Sequence, residues 1–152
     1  TDTDIINQLY EASNAGVTVR LIVRGMFSLV PGVKNLSENI KAIGIVDRFL
    51  EHTRFMIFCN GGEEECFISS ADLMPRNIDH RIEVTCPVFD KNIRNELRHI
   101  FEIQWNDNVK ARKLDPSLSN KFVKTGKEAV RSQTEVYRYL RKAASSGSAK
   151  EK

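Results

Sequence analysis

A capped helix that runs directly into an apolar strand is the feature that most constrains the fold of this chain. Asp2 or Thr3 can cap the helix, apolar side chains recur along it at helical spacing, and Gly16 is placed to end it. The strand that follows, Val17 to Val23, is almost continuously apolar, which is typical of a strand buried on both faces of a mostly parallel sheet. Because no hairpin turn separates the helix from the strand, the pattern predicts an α/β fold.

The middle of the chain carries further strand patterns. Ile40 to Val46 predicts a second buried strand, and the polar loop before it, Leu29 to Asn39, is placed to act as a flap over a site. Asn60-Gly61-Gly62 joins two apolar runs, Arg54 to Cys59 and Glu65 to Ser70, and predicts a hairpin, because Asn-Gly favours the turns that connect antiparallel strands. Weaker patterns predict a turn or short helix at Asp47 to Glu51, a loop at Arg76 to Asp79, and an edge strand from Ile82 to Pro87.

Two helices and a basic segment are predicted in the last third of the chain. Asp90 caps a helix with an apolar stripe at Ile93, Leu97, Ile100 and Phe101, and Ser132 with Glu135 forms a capping box for a helix through Leu140. Between them, Asn106 to Lys127 has weak periodicity and is predicted to be an irregular arm. The small polar segment 145–152 is predicted to be a disordered tail, which leaves one domain over residues 1–144. Since an α/β sheet normally has a strand before such a first helix, we expect a fragment of a longer polypeptide.

Composition excludes several classes of protein. With 152 residues, 41% apolar and 28% charged, the chain reads as soluble and globular, and no apolar run approaches the roughly 18 residues of a membrane span. Cys59, Cys66 and Cys86 lie in predicted strands without metal-ligand spacing, which predicts buried thiols in a reducing compartment. A net charge of +3 does not by itself indicate a nucleic-acid partner, although Lys110 to Arg131 contains seven basic and two acidic residues.

Cationic and hydrogen-bonding side chains collect where the predicted strands begin or end. Arg24-Gly25 ends the first strand, His52 and Arg54 precede the third, and Ser69-Ser70-Ala71-Asp72 closes the fourth. Open α/β sheets bind ligands at strand ends, and the fork of an arginine suits two phosphate oxygens. The sequence therefore predicts that the segments containing Arg24 and His52 meet at one phosphate.

A structural role competes with phosphate binding at each of these residues. Arg24 could instead pair with a carboxylate such as Asp72, and residue type alone does not separate the two interpretations. For Arg54 an ion pair with Glu51 or Asp72 is favoured over a secondary phosphate contact. Ser69 and Ser70 could bind phosphate or simply end a strand, and the second interpretation is slightly favoured. On spacing alone, His52 is more often a surface histidine than a site residue.

The spacing around His52 resembles that of the phospholipase D superfamily. In that superfamily a His, a Lys two positions later, and residues at the end of a downstream strand form half of a two-fold site. Here Arg54 stands at the lysine position. A wider set of linked motifs resembles the C-terminal catalytic region of bacterial polyphosphate kinase, the long-chain-synthesising family. These motifs are Leu21-Ile22-Val23-Arg24-Gly25-Met26, Leu36-Ser37-Glu38-Asn39-Ile40, Ile45 to Arg54, Asn60-Gly61-Gly62, Ser69-Ser70-Ala71-Asp72, Arg81-Ile82-Glu83-Val84 and Asn106 to Arg112.

The resemblance implies a fold, an activity and a set of partners. The fold would be a phospholipase D-like half-domain, a mixed and mostly parallel sheet flanked by helices, with a C-terminal basic arm and helix. The activity would be reversible transfer of the terminal phosphoryl group of ATP to polyphosphate, giving ADP, through a phosphohistidine on the preceding domain. Arg24 and His52 would bind ATP and phosphate, and His52 would assist catalysis as a donor or acid.

The same resemblance implies Mg²⁺ bound with ATP, with no dedicated metal ligands in this chain. It also implies contact with upstream domains of the same polypeptide, a homo-oligomer in the full-length enzyme, and a bacterial cytoplasmic location with peripheral association at the inner membrane. Two other functions compete with this one. A phosphodiesterase or nuclease of the phospholipase D superfamily would need His-x-Lys and a second copy, and a noncatalytic nucleic-acid module would need aromatic residues along the basic arm, where only Phe122 is present.

Overall fold

The computed structural model describes residues 2–126 and 128–147 of the chain. Four helices and six strands make up its regular structure. In chain order they are α1 (Thr3–Asn14), β1 (Val19–Val23), β2 (Ile40–Gly44), β3 (Phe55–Phe58), β4 (Glu65–Ser69), α2 (Pro75–Ile78), β5 (Thr85–Pro87), α3 (Lys91–Trp105), β6 (Arg112–Leu114) and α4 (Ser132–Gly147).

The first sheet has the strand order β1-β2-β6 and carries the opening helix–strand unit. Asp2 caps α1 by accepting hydrogen bonds from the backbone N–H groups of Asp4 and Ile5, as predicted. Gly16 follows the helix with a φ of 88°, a conformation that favours glycine, so its predicted role is also confirmed. β1 runs parallel to β2, but its residues are half-buried, so the predicted burial of this strand on both faces is wrong.

The second sheet has the order β3-β4-β5 and is antiparallel throughout. The hairpin predicted from Asn60-Gly61-Gly62 joins β3 to β4 through a short 3₁₀ turn over these three residues. β5 is an edge strand, as Pro87 predicted, but it begins only at Thr85, and Ile82 is fully exposed before it. The α/β class with mixed sheets is confirmed, although β1–β2 is the one parallel pair among the described strands.

The predicted irregular arm is partly a sheet strand. Residues 112–114 form β6, which pairs antiparallel with β2 and places Lys113 opposite Ile43. An antiparallel bridge between Arg112 and Phe122 places one more backbone segment beside β6. Ala111 is fully buried in the core cluster with Ile43 and Ile45, so this part of the chain belongs to the domain interior.

Helix α3 connects the two sheets. Trp105 packs against the core of the first sheet, and Phe101 meets Phe55 of the second sheet edge to face, with 6.3 Å between ring centroids. Phe101 and Trp105 stack on each other, and the Arg20 guanidinium lies 4.8 Å from the Phe101 centroid. Asp90 caps this helix, as predicted, but Ile93 of the predicted apolar stripe is half-exposed.

The ends of α4 differ from prediction. The helix begins at Ser132, and its N-terminus is capped by Asp107, whose Oδ2 accepts a hydrogen bond of 2.7 Å from the Ser132 N–H. The predicted capping box is therefore replaced by a cap from a distant residue. α4 continues to Gly147, seven residues beyond the predicted end. The prediction of a disordered tail is therefore wrong for residues 145–147, and the rest of the predicted tail lies outside the described residues.

Further sequence predictions concern two short segments, the cysteines and membrane spanning. The Arg76 to Asp79 loop contains the single-turn helix α2, and the Asp47 to Glu51 segment is a bend without a helix. Of the three cysteines only Cys66 is buried, whereas Cys59, directly after β3, and Cys86, in β5, are exposed. Within the described ranges, none of the helices combines the length and apolar character needed to cross a bilayer.

The loop from Leu29 to Asn39 is fastened to the body of the domain. Its Val30 N–H donates to the Tyr10 hydroxyl of α1, and the buried Ser37 hydroxyl donates to the Val30 carbonyl. Gly32 lies against Pro116. These contacts hold the loop against α1 and the β6 end of the sheet, and its role as a flap stays a prediction.

Candidate functional site

Arg24 lies directly after β1, where the strand ends. Its Nη1 donates to the backbone carbonyl of Glu51 at 2.8 Å, and its Nη2 donates to Asp72 Oδ1 at 2.7 Å. A guanidinium has five N–H donors, and these two bonds use one on each terminal nitrogen. The other N–H groups have no partner among the described residues, so the fork keeps donors for a ligand.

Arg54 reaches the same carboxylate oxygen from the start of β3. Its Nε donates to Asp72 Oδ1 at 2.8 Å, which makes this one oxygen the acceptor for both guanidiniums. Arg54 also lies against His52, with its Nη1 3.1 Å from His52 Nδ1. Because a guanidinium cannot accept a hydrogen bond, this contact is a hydrogen bond only in the form of His52 that carries no proton on Nδ1. The ion pair expected between Arg54 and Asp72 is confirmed.

The charges at this cluster affect one another. The hydrogen bond from Arg54, and then that from Arg24, hold the pKa of Asp72 far below its usual value, although burial opposes them. Asp72 in turn raises the pKa of Arg54. The carboxylate therefore stays ionised across the physiological range, and two fixed cations face one fixed anion.

Ser69 and Ser70 make hydrogen bonds within the second sheet. The Ser69 hydroxyl lies 2.9 Å from that of Thr85 and accepts from the Ala71 N–H. The Ser70 hydroxyl donates to Glu83 and accepts from the Val84 N–H. These contacts match the role of a strand end, and the secondary phosphate contacts of both serines stay predictions.

The structure thus brings four predicted residues together at the end of β1 and the start of β3. Arg24, His52, Arg54 and Asp72 form one cluster, which we call the arginine cluster. The Asp72 contact that was the alternative to phosphate binding by Arg24 is present. It does not consume the guanidinium, and the phosphate role of Arg24 and His52 stays a prediction.

The segment 47–51, which precedes His52, is held by the first residues of α4 and the residue before it. Arg131 Nε and Nη2 donate to the two carboxylate oxygens of Asp47 at 2.7 and 2.6 Å, and the Asp47 side chain is 2% exposed. The Gln133 amide bonds to the backbone of Phe49. Sequence reasoning missed these contacts, because 84 residues separate the partners and no local pattern links them.

Two features of the structure bear on metal binding and nucleic-acid binding. The described residues contain no group of three or more His, Cys, Asp or Glu side chains that could hold a metal ion. In the basic segment, the Arg112 guanidinium covers the ring of Phe122 at 4.0 Å from the centroid. The one aromatic side chain of that segment therefore already has a stacking partner within the protein.

Comparison with known proteins agrees on one family. The family model described as "Polyphosphate kinase C-terminal domain 2" matches residues 1–133. The polyphosphate kinase of Vibrio cholerae serotype O1 is 52% identical over 141 residues, and that of Escherichia coli K12 is 48% identical over 141 residues. Each match covers 92% of this chain and 20% of the relative, so the chain spans about a fifth of their length.

A solved structure gives the same result at the level of the fold. The crystal structure of polyphosphate kinase from Porphyromonas gingivalis superposes with a TM-score of 0.91 and 48% sequence identity. The match covers 96% of this chain and 22% of that chain. The predicted α/β, phospholipase D-like fold is confirmed by this match.

Proposed function

Because the chain belongs to the polyphosphate kinase C-terminal domain family, we propose that its arginine cluster is half of a site for ATP and polyphosphate. The reaction is the reversible transfer of the terminal phosphoryl group of ATP to polyphosphate, giving ADP. Arg24 and His52 bind the phosphates, and this part of the enzyme supplies charge and hydrogen bonds to the transferred group.

The observation that carries this proposal is the sharing of one carboxylate oxygen by two guanidiniums. Asp72 Oδ1 accepts from Arg24 and from Arg54, so the four residues of the cluster carry one more positive than negative charge, and Glu83 is a further anion whose charge acts on Arg54. The side chains of Arg24 and Asp72 are 25% and 28% exposed, which leaves the cluster open to a ligand. A phosphate group would balance the excess charge and take the N–H donors of Arg24 that no described residue uses.

The chemistry of phosphoryl transfer suits such a cluster. Its transition state carries charge on the phosphoryl oxygens, and positioned cations lower its energy. In this proposal Arg24 holds two phosphate oxygens with its fork, and exposed His52 donates a hydrogen bond or a proton to the leaving oxygen. Asp72 orients both arginines.

Other parts of the proposal rest on the family alone. The attacking histidine, which becomes phosphorylated, lies in a domain that precedes this one in the full-length enzyme. Mg²⁺ arrives with ATP, and the described residues offer it no cluster of ligands. The full-length enzyme is a homo-oligomer in the bacterial cytoplasm, with peripheral association at the inner membrane.

An exchange experiment tests the role of Arg24. The corresponding fifth of Vibrio cholerae polyphosphate kinase is replaced by this chain, and ATP-dependent polyphosphate formation is measured. We expect Arg24→Ala to reduce turnover about 10³-fold, the range seen when one preorganised transition-state donor is lost. Arg24→Lys should also be poor, because a point charge cannot replace a bidentate fork.

Arg112→Ala serves as the matched control in the same chimera. Arg112 lies on β6, packs on Phe122 and makes no contact with the arginine cluster, so its loss should leave turnover within about twofold. A chimera that folds and forms no polyphosphate would contradict the proposed function. Near wild-type turnover of the Arg24→Lys chimera would contradict the bidentate role.

A further inference from the structure

The amide of Gln133 binds the segment before His52 in the manner of a paired strand. The Phe49 N–H donates to Gln133 Oε1 at 3.1 Å, and Gln133 Nε2 donates to the Phe49 carbonyl at 2.8 Å. The same Nε2 donates to Glu51 Oε1 at 2.9 Å. One side chain of α4 therefore satisfies both backbone polar groups of Phe49 and fixes the Glu51 side chain two residues further on.

Gln133 is itself held in a rigid position. It is the second residue of α4, and the N–H of the first, Ser132, is bonded to the fully buried carboxylate of Asp107. The residue before the helix, Arg131, forms the two-point ion pair with Asp47. The start of α4 is thus fastened at the two residues directly before Gln133, and an amide mounted there can define where segment 49–51 lies.

The segment in turn defines the geometry of Arg24. The Glu51 carbonyl accepts from Arg24 Nη1, while Asp72 accepts from Nη2, so these two acceptors set the plane and direction of the guanidinium. His52 is the next residue after Glu51. A shift of the Glu51 peptide would therefore change both residues that the proposed function assigns to the phosphates.

We propose that Gln133 is a positioning residue for Arg24 and His52 and that it acts through the backbone of residues 49–51. This inference rests on the proposed function of the arginine cluster. Gln133 does not touch the phosphate. It holds the carbonyl that aims Arg24, and it ties the start of α4 to the site.

The test removes the amide and keeps the shape of the side chain. In the Vibrio cholerae chimera, Gln133→Met should lower turnover about tenfold. This loss corresponds to an activation free energy that is higher by about 1.4 kcal/mol. Gln104→Met is the matched control, because Gln104 of α3 lines the same groove beside Phe49 but makes no described side-chain bond to the segment. Its turnover should stay within about twofold of the parent chimera.

A double-mutant cycle separates positioning from general support of the fold. If Gln133 acts through Arg24, Gln133→Met should cost clearly less than tenfold in the Arg24→Lys background, because the fork that it aims is already gone and only its effect through His52 remains. The midpoint of thermal unfolding should shift equally in both backgrounds. A full tenfold loss in the Arg24→Lys background, or no loss in the parent, would overturn the inference.

These outcomes are distinct from a failure of the proposed function. If Arg24→Lys alone leaves turnover unchanged, the role of Arg24 is wrong, whatever Gln133 does. If Arg24→Lys is poor and Gln133→Met is harmless, only the positioning role is wrong. An NMR measurement on this chain adds a readout independent of turnover, since Gln133→Met should shift the Arg24 Nε–H resonance and Gln104→Met should not, and an unshifted Arg24 signal would overturn the inference.

Discussion

At the scale of single residues, Asp72 decides what Arg24 and Arg54 can do. Its Oδ1 accepts from both guanidiniums, so both arginines are held in place by one carboxylate oxygen. A carboxylate beside two arginines can be interpreted as a structural ion pair or as the anchor of a phosphate site. The second interpretation is favoured because the two guanidiniums share one carboxylate oxygen, and Arg24 keeps N–H donors that no described residue uses.

His52 gives the first prediction at this scale. His52→Ala in the chimera should reduce turnover about 10²–10⁴-fold, the usual contribution of a positioned proton donor. His52→Gln keeps a donor without a titrating proton, so it should recover part of the loss if hydrogen bonding dominates and none if proton transfer dominates. Both variants should unfold at nearly the parent temperature, because His52 is exposed.

Phosphoenzyme labelling separates assistance from attack by His52. After incubation of the parent chimera with ATP labelled in its terminal phosphate, the acid-labile phosphohistidine should map outside the exchanged segment. A stable phosphate adduct on His52 would show that this histidine is the nucleophile and that the assignment of its role is wrong.

Asp72 gives a prediction about acid stability. Its pKa is lowered in the folded state, so its contribution to stability is complete above the unfolded value of about 3.9 and is lost as the pH falls below that value. Urea unfolding between about pH 6 and pH 2.5 should therefore show a falling free energy of unfolding below about pH 4.

Asp72→Asn is the comparison that assigns this acid effect. The variant cannot titrate at residue 72, so its free energy of unfolding should fall less steeply below pH 4 than that of the parent. Asp47, whose pKa is lowered by the Arg131 hydrogen bond, and other carboxylates with a lowered pKa, such as Asp107 and Glu102, supply the part of the slope that remains. Parallel curves for variant and parent would contradict the ion-pair geometry at Asp72.

At the scale of elements, local signals predicted the helices and hairpin, and long-range contacts decided the rest. The caps at Asp2 and Asp90 and the glycines of the β3–β4 turn act within a few residues, so the sequence carries them directly. Strand β6 is three residues long, contains Arg112 and Lys113, and has no alternating pattern. Its identity comes from pairing with β2, about 70 residues earlier in the chain.

The candidate site likewise contains residues that the sequence predicted and residues that it did not. Arg24, His52 and Arg54 were singled out because cationic residues at strand ends are visible in the sequence, and the family resemblance then implied the phosphate role of Arg24 and His52. The contacts that hold segment 47–51 were missed. Gln133 and Arg131 lie at the start of α4 and directly before it, far away in the chain, and no local sequence pattern links them to that segment. Side chains that act on a site through tertiary contacts leave no periodic signal.

Asp107 gives a prediction at the scale of elements. Its fully buried carboxylate accepts N–H bonds from Val109, Lys110 and Ala111 through Oδ1 and from Ser132 through Oδ2. Burial would raise the pKa of Asp107, but these N–H bonds outweigh burial and lower it. Asp107→Ala leaves buried donors without an acceptor and should lower the free energy of unfolding by about 3 kcal/mol or more.

Asp107→Asn is the more selective of the two variants, because it should remove only the cap of α4. Its amide oxygen can still serve the turn at 109–111, while its NH₂ group faces the Ser132 N–H, so the start of α4 alone loses its cap. We expect roughly half the loss caused by Asp107→Ala, with reduced hydrogen-exchange protection confined to α4. Equal losses for the two variants would show that the four bonds do not act separately.

At the scale of the whole molecule, α3 joins two small sheets, and the arginine cluster lies where β1 of one sheet approaches the β3–β4 hairpin of the other. Arg24 belongs to the first sheet, and Arg54 and Asp72 flank strands of the second. The cluster therefore depends on the relative position of the sheets. Packing of Phe101 and Trp105 sets that position, since they contact the two sheets from one helix.

The chain on its own should not make polyphosphate. It spans about a fifth of its relatives, and the proposed mechanism places the attacking histidine outside it. An assay of ATP-dependent polyphosphate formation with the 152-residue chain should give no product above the background without protein. Sustained turnover by this chain alone would contradict the division of the site between two domains.

The central claim is that Arg24 and His52 form a phosphate-binding half-site, and an NMR titration of this chain with tripolyphosphate tests it most directly. The side-chain resonances of Arg24, Arg54 and His52 should shift together and saturate, with ATP competing for the same site. Those of Arg20 and Arg112, which have protein partners elsewhere, should stay in place. Saturable shifts confined to the basic segment, with the arginine cluster unchanged, would contradict the claim.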